Sequence, residues 1–204
     1  MKKIMKNTAI LTAITLVAGI LLGLVYEITK APIAAAHEDA KQKAYKVVLT
    51  DAASFEAYDE FDADQAAAIL EKAGLSGCEI FEVASARDES GEQMGSVVTV
   101  ITHEGYGGDI KISVGILADG TVKGIEMLAI GETAGLGMKA AEAEFKDQFK
   151  DKNVPAFAYT KTGETGDDKI DALSGATITT NAVTNAVNSA LVYFQNELGG
   201  SVNE

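Results

Sequence analysis

The chain is 204 residues long and 47% apolar, which suffices for one ordinary domain with a hydrophobic core and excludes both a multidomain assembly and a disordered chain. Its 17 basic and 30 acidic residues give a net charge of -13, which repels a phosphate backbone, so we expect no nucleic-acid partner. One cysteine and two histidines are too few for a four-ligand zinc site or an iron–sulfur cluster.

The first predicted element is a membrane anchor over residues 1–30. Within it, residues 8–26 form a run of 19 without a charged side chain. As a helix this run would reach about 28 Å, close to the hydrocarbon thickness of about 30 Å. The threonines in the run, Thr8, Thr12 and Thr15, are expected to return their hydroxyls to backbone carbonyls one turn earlier, so they cost little in lipid.

Charged residues on either side of the run predict its orientation. Lys2, Lys3 and Lys6 precede it, whereas Glu27 and Lys30, which follow it, cancel. The positive-inside rule then predicts a cytoplasmic N-terminus and an extracytoplasmic remainder, with the chain crossing the cell membrane once.

A cleaved secretory signal peptide is the alternative to a retained anchor. The alanines at residues 34–36 are small enough for a signal peptidase. The apolar run is longer than a typical signal core, and this favours the anchor.

Residues 31–75 are predicted to form a helical stalk and linker. Pro32 is expected to break the anchor helix, and the alanines and lysines of residues 33–48 predict a helix beyond it. A second, short helix is predicted over residues 62–73, capped by the aspartate at its start and ended by Gly74.

Residues 76–204 are predicted to form one α+β domain with an antiparallel sheet and packed helices. Several segments have the composition of strands, and the pair Asp119-Gly120 predicts a tight hairpin. The glycines of residues 105–108 supply another turn. The predicted strands are residues 95–102, 110–117 and 122–130, with shorter ones at 78–83 and 157–160.

Two helices are predicted in the same domain. Residues 138–149 are helical by pattern, and from Asn181 onward apolar residues recur at intervals of three and four, which predicts a helix with one face on the sheet. The pair Gly199-Gly200 is predicted to end it. The apolar positions are Val183, Ala186, Val187, Ala190, Leu191, Phe194 and Leu198.

The segment from Asp171 to Asn181, which comes just before the last helix, is a candidate anion site. Small residues let a ligand approach the backbone, hydroxyls offer hydrogen bonds, and the free amides of a helix start favour a phosphate. The residues alone leave an alternative open, because Thr179, Thr180 and Asn181 are also typical of an ordinary helix cap.

The segment from Gly131 to Gly137 is a second candidate. Its glycines would admit a flat ligand, with Leu136 against the ligand face and Glu132 or Thr133 bonded to the polar edge. The alternative is a flexible connection between a strand and a helix.

A serine hydrolase with Ser174 as nucleophile is a further alternative. The chain has no Gly-x-Ser-x-Gly elbow, and His103 could approach Ser174 only through the fold. His103 is more simply a strand-end residue. Tyr106, which has glycines on both sides, is more simply an aromatic residue in a turn than a stacking platform for a ligand.

Taken together, these segments resemble the G subunit of the Rnf complex, a membrane-bound ferredoxin:NAD oxidoreductase that couples electron transfer to ion transport. The C subunit of the sodium-pumping NADH:quinone oxidoreductase is similar in its flavin-binding domain. The resemblance covers nearly the whole chain and is most specific in Asp171-Ala-Leu-Ser-Gly-Ala-Thr177. Further motifs are Thr29-Lys-Ala-Pro-Ile33, Glu104-Gly-Tyr-Gly-Gly108 and Gly131-Glu-Thr-Ala-Gly-Leu-Gly137.

This resemblance implies a cofactor and its attachment site. In such proteins a flavin transferase links FMN through a phosphoester to the last threonine of the motif, here Thr177. The implied cofactor-binding residues are Asp171, Ser174, Gly175, Ala176 and Thr177 at the attachment motif, with Glu132, Thr133, Gly135, Leu136 and Gly137 toward the ring. One departure is Ala134, where relatives usually carry proline, and this affects the rigidity of the loop.

The resemblance also implies partners and a role. The expected role is electron transfer inside a membrane complex, with little or no turnover by the isolated subunit. Expected partners are the membrane, the other Rnf subunits, including a second membrane subunit that carries FMN, and the transferase. A freestanding membrane-anchored flavin carrier and a surface module that binds its ligand noncovalently are the alternatives.

Overall fold

The computed structural model describes residues 1–199, so the predicted stop at Gly200 and the end of the predicted domain lie outside the described residues. The chain divides into two compact units, residues 1–41 and the described residues from 42 onward. The predicted α+β class is confirmed, because a long apolar N-terminal helix precedes a sheet with packed helices.

Helix α1 spans Lys2–Val48 and is, within residues 1–199, the one helix long and apolar enough to cross a membrane. Two of its threonines bond as predicted. The hydroxyls of Thr8 and Thr15 donate to the carbonyls of Ile4 and Leu11, at 3.0 and 3.1 Å. These bonds satisfy the hydroxyls without water.

The break predicted at Pro32 is wrong, since α1 continues through it. Proline has no N–H, so the carbonyl of Ile28 loses its helical partner there. The alanines at position 31 and at 34–36 have the highest helix propensity and favour helical turns on both sides.

The predicted short second helix is confirmed as α2, Ala63–Lys72. The carboxylate of Asp62 caps it by accepting the backbone N–H groups of Asp64 and Gln65 at 2.9 and 3.1 Å. Gly74 follows its end with φ +74°, the left-handed conformation that glycine adopts without strain.

Five antiparallel strands form the main sheet, in the order β1-β2-β3-β4-β5. The predicted bounds of β4 and β5 are confirmed, while β2 continues to Arg87 instead of ending at Val83. The prediction lacks β1, because four residues are too few for an alternating pattern and pairing with the end of β2 determines this strand. The strands are β1 Ser54–Ala57, β2 Cys78–Arg87, β3 Gln93–Thr102, β4 Ile110–Leu117 and β5 Val122–Ile130.

Helix α4, Thr177–Glu197, covers one face of this sheet. It begins at Thr177, four residues before the predicted start at Asn181. The predicted packing face is confirmed, with Leu198 partly buried at its end. The buried residues of this face are Val183, Ala186, Val187, Ala190, Leu191 and Phe194.

The last turn of α1 packs on the opposite face of the sheet. Tyr45, Val48 and Leu49 form a small core there with strand residues such as Val97. A Cβ added to Gly115 would lie 2.5 Å from the carbonyl oxygen of Val48, so only glycine permits this close approach.

The continuous helix predicted over residues 138–149 is wrong. The segment consists of a 3-10 turn at Gly137–Ala141, a short helix α3 at Ala143–Lys146 and another 3-10 turn at Asp147–Phe149, with Glu142 extended between the first two. Phe145 and Phe149 are buried and stack edge to face, so packing in the core overrides the helical pattern.

A second, two-stranded sheet precedes α4. Strand β6, Ala158–Thr160, confirms the strand predicted at residues 157–160. It pairs in parallel with β7, Lys169–Asp171, a strand too short to predict. Asn188 of α4 fixes the start of this region, because its side-chain amide accepts the N–H of Phe157 at 2.7 Å and donates to the carbonyl of Phe157 at 2.9 Å.

Two buried hydroxyls of β3 predict opposite effects on stability. Thr99 bonds the hydroxyl of Tyr45 at 3.2 Å, whereas the hydroxyl of Ser96 has no partner among the described residues. We expect Ser96→Ala to raise the free energy of unfolding by about 1 kcal/mol and Thr99→Val to lower it by about the same amount. Thermal unfolding of the full chain in detergent measures both, and a destabilised Ser96→Ala protein would contradict the expectation.

Candidate functional site

A cleft of about 570 Å³ lies where α4 begins, between the loop after β5, the turn after β3 and the loop before α4. It brings together seven of the ten predicted cofactor-binding residues, from two segments that lie far apart in the sequence. Its lining residues are Tyr106, Glu132, Thr133, Leu136, Gly137, Gly175, Ala176, Thr177, Ile178 and Thr179.

Three predicted site residues lie outside this lining. Asp171 and Ser174 line a separate depression of about 220 Å³, in which the backbone N–H of Asp171 donates to the side chain of Gln148 at 2.6 Å. Gly135 lies in the loop after β5 with φ +75°, a conformation that it adopts without strain.

The start of α4 presents free backbone donors to the cleft. Ala176 occupies the cap position and no side chain caps the helix, so helix geometry leaves the N–H groups of Thr177, Ile178 and Thr179 without intrahelical acceptors. The predicted alternative of a cap made by Thr179, Thr180 or Asn181 is wrong. This end of the helix carries partial positive charge and is suited to an anion.

Thr180 instead holds the loop before α4 from inside the helix. Its buried hydroxyl accepts the N–H of Leu173 at 3.0 Å and donates to the carbonyl of Ala176 at 3.0 Å. Gly175 adopts φ +76°, and a Cβ placed there would lie 3.3 Å from Leu136. The two candidate segments are therefore in close contact.

Glu132 joins the loop after β5 to the turn after β3. Its side chain is only 7% exposed, and its Oε1 accepts the backbone N–H of Tyr106 at 2.7 Å. A Cβ on Gly137 would lie 2.7 Å from Oε2 of this carboxylate and 2.6 Å from the hydroxyl oxygen of Thr179. Gly105 and Gly107 also have no room for a side chain, because a Cβ would meet neighbouring backbone oxygens.

The rim of the cleft is apolar and open. Tyr106, Leu136 and Ile178 are 72%, 43% and 53% exposed, although large apolar side chains are usually buried. For Tyr106 the sequence favoured a turn residue over a stacking platform, and it did not single out Ile178. The glycines on both sides of Tyr106 were the available signal, because they allow the turn to approach Gly131 and Glu132 closely.

Thr177 lies at the edge of the cleft, in the first turn of α4. Its side chain is partly exposed, and its hydroxyl has no hydrogen-bond partner within the described residues. The one acidic side chain in the lining, Glu132, already accepts the N–H of Tyr106. The hydroxyl is thus accessible to a reagent but has no histidine or lysine beside it in the cleft.

His103 does not supply a base for Ser174. Its Nδ1 lies 2.9 Å from Oδ1 of Asp109, and its Nε2 lies 3.8 Å from Oε2 of Glu79. The hydrogen bond to Asp109 is the largest cause that raises the pKa of His103, and the loss of solvation on burial opposes it. The histidine belongs to a surface ion cluster, which does not support the hydrolase alternative.

Two family models match the chain. The model described as FMN-binding domain matches residues 105–192, and the model described as RnfG N-terminal region matches residues 1–48. The first match contains both cleft segments, and the second covers α1.

Curated relatives match almost the full length. The G subunit of the Na(+)-translocating ferredoxin:NAD(+) oxidoreductase complex of Acetobacterium woodii is 34% identical, with 96% of this chain and 93% of the relative covered. The G subunit of the ion-translocating oxidoreductase complex of Methanosarcina acetivorans is 33% identical, with 97% and 98% covered. The likeness therefore includes the N-terminal helix and the cleft.

A solved structure shares the fold. The C subunit of the Na(+)-translocating NADH-quinone reductase of Parabacteroides distasonis superimposes with a TM-score of 0.50 over 71% of this chain and 77% of that chain. The sequences are 22% identical, so this likeness concerns the fold alone.

Proposed function

Because this chain belongs to the family of G subunits of the ion-translocating Rnf oxidoreductase complexes, we propose that it is the electron-carrier subunit of such a complex, with FMN linked through a phosphoester to Thr177. The observation that carries the proposal is the cleft, in which the loop after β5 faces the threonine that begins α4. When bound, FMN supplies the electron transfer, and the protein supplies its placement.

The cleft fits this cofactor in volume and in chemistry. About 570 Å³ is within the usual range of about 300–1,000 Å³ for cofactor sites. The free N–H groups at the start of α4 suit a phosphate, and small residues at Gly175 and Ala176 leave room beside the backbone. Leu136 and Ile178 offer apolar surface to a flat ring, while Thr133 offers a polar group.

The attachment motif extends beyond the cleft. We assign Asp171 and Ser174 to it with Gly175, Ala176 and Thr177, and Gly135 to the loop that faces the ring. A threonine hydroxyl is a weak nucleophile, and no histidine or lysine is among the residues that line the cleft. The proposed attachment therefore requires a separate flavin transferase, for which this chain is the substrate.

The proposed domain organisation follows the sequence. Residues 1–30 form the transmembrane anchor, residues 31–75 the stalk and linker, and residues 76–204 the FMN-binding domain. The family and the apolar helix α1 place the chain at a membrane. We propose a single crossing of the cell membrane with the lysine-rich N-terminus in the cytoplasm and the flavin domain outside.

The proposed partners are the other subunits of an Rnf complex, including a second membrane subunit that carries FMN. A fixed anchor favours this role, because electron transfer needs short, constant distances between carriers. Purification from the native membrane separates this proposal from a freestanding carrier. A stable multisubunit assembly supports the complex, and an isolated flavinylated chain contradicts it.

The cofactor proposal is tested on the natively expressed full chain. We expect a band that fluoresces under ultraviolet light after denaturing electrophoresis, since only a covalent flavin survives unfolding. Peptide mass analysis should place an FMN-sized addition on the peptide that contains Thr177. A dark band from cells with an active flavin transferase would contradict the proposal and favour a module that binds its ligand noncovalently.

A further inference from the structure

Tyr106 and Glu132 are in contact at the mouth of the cleft. The proposed function assigns no role to Tyr106. Glu132, in the loop after β5, is buried, and its Oε1 accepts the backbone N–H of Tyr106 at 2.7 Å. The tyrosine ring is 72% exposed and lines the cleft. The buried group thus holds the backbone of an exposed aromatic residue.

The turn that carries Tyr106 fits closely against the loop of Glu132. A side chain on Gly107 would collide with the carbonyl oxygen of Gly131, and a Cβ on Gly105 would lie 3.0 Å from Oε1 of Glu132. Glycines before and after Tyr106 therefore let the turn reach the carboxylate, and the carboxylate fixes the turn. A hydrogen bond from an N–H to a charged, buried oxygen is among the stronger bonds available.

The environment of Tyr106 suits a flat aromatic ligand. An exposed large apolar side chain is usually solitary on a surface, but Leu136 and Ile178 are also exposed at this cleft. The tyrosine hydroxyl does not stabilise the fold, since it makes no hydrogen bond within the described residues. Aromatic rings favour stacked or edge contacts with other flat π-systems.

We propose that Tyr106 forms an aromatic wall of the flavin site and that Glu132 is its positioning residue, acting through the Tyr106 N–H and not by direct contact with the ring. This inference rests on the proposed function. It gives Tyr106, in the turn after β3, a role in contacting the cofactor. It also gives a reason for the buried carboxylate of Glu132 beside a site that would hold a phosphate.

The test measures an emission ratio. This is the flavin emission of the folded, flavinylated full chain divided by the flavin emission of the same sample after unfolding. A tyrosine ring in contact with a flavin donates an electron to its excited state and takes it back, which quenches the emission, whereas phenylalanine is too hard to oxidise to do so. We expect Tyr106→Phe to raise the ratio several-fold and Tyr106→Trp to leave it low. Tyr159→Phe, at an exposed tyrosine outside the cleft lining, is the matched control and should leave the ratio unchanged.

The role of Glu132 is tested in the same assay. We expect Glu132→Ala to raise the ratio as Tyr106→Phe does, and Glu132→Gln, which keeps an acceptor oxygen, to restore the low ratio. In the double variant with Tyr106→Phe, Glu132→Ala should add nothing, because both changes act through one contact.

Three outcomes are distinguishable. An unchanged emission ratio in Tyr106→Phe would overturn the proposal that Tyr106 contacts the flavin. This substitution removes one hydroxyl, so we expect the variant to fold. A further rise on adding Glu132→Ala to Tyr106→Phe would overturn the positioning role, because the carboxylate would then act without the tyrosine. Absence of covalent flavin from the wild-type chain would overturn the proposed function and this inference with it.

Discussion

Thr177→Ala is expected to abolish covalent flavin completely while leaving the fold intact. The residue lies in the first turn of α4, its side chain is partly exposed, and its hydroxyl makes no hydrogen bond within residues 1–199. Alanine has the highest helix propensity, so the start of α4 should not be weakened. Denaturing electrophoresis with fluorescence detection measures the loss, and thermal unfolding checks the fold.

Ser174→Ala is the matched control for this loss. Ser174 carries an exposed hydroxyl three residues before Thr177 in the same motif, but it lines the separate depression beside Gln148. We expect Ser174→Ala to keep at least part of its fluorescence in the gel, because Ser174 belongs to the attachment motif but does not carry the phosphoester. A fluorescent Thr177→Ala band would place the phosphoester on another residue and refute the assignment.

The antiparallel sheet could be predicted because its signals are local. The hairpin between β4 and β5 is fixed by Asp119-Gly120, and the predicted bounds of both strands are confirmed. The region of Phe145 and Phe149 could not be predicted, since its helical pattern is interrupted to place both rings in the core. Contacts between residues far apart in the sequence determine the structure of such segments, and a single sequence does not reveal those contacts.

The candidate site could likewise be predicted only in part. Motifs identified both segments that line the cleft, and the resemblance supplied the threonine. The contribution of Tyr106 depends on a contact with Glu132 across 26 positions of sequence, and that of Thr180 on a bond back to Leu173. A threonine one turn inside a helix resembles a cap in sequence, and only the observed start of α4 separates the two roles.

Gly137→Ala is expected to disrupt the cleft more than any other single methyl group in its loop. The added Cβ would lie 2.6 Å from the hydroxyl oxygen of Thr179 and 2.7 Å from Oε2 of Glu132, and both neighbours are buried. Overpacking of this kind costs about 1–3 kcal/mol. Displacement of Glu132 should also release the N–H of Tyr106, so the yield of covalent flavin should fall together with the unfolding temperature.

Gly131→Ala is the matched control in the same loop. Its Cβ would have one neighbour within reach, the carbonyl oxygen of Gly107 at an ordinary 3.7 Å. Thermal unfolding and gel fluorescence of the two variants, expressed with the same transferase, measure the difference. Equal stability and equal flavin yield would show that the contact between Gly137, Glu132 and Thr179 does not hold the cleft together. A loss confined to Gly137→Ala would instead establish that the glycine ending this loop is required because the buried carboxylate occupies the space of a side chain.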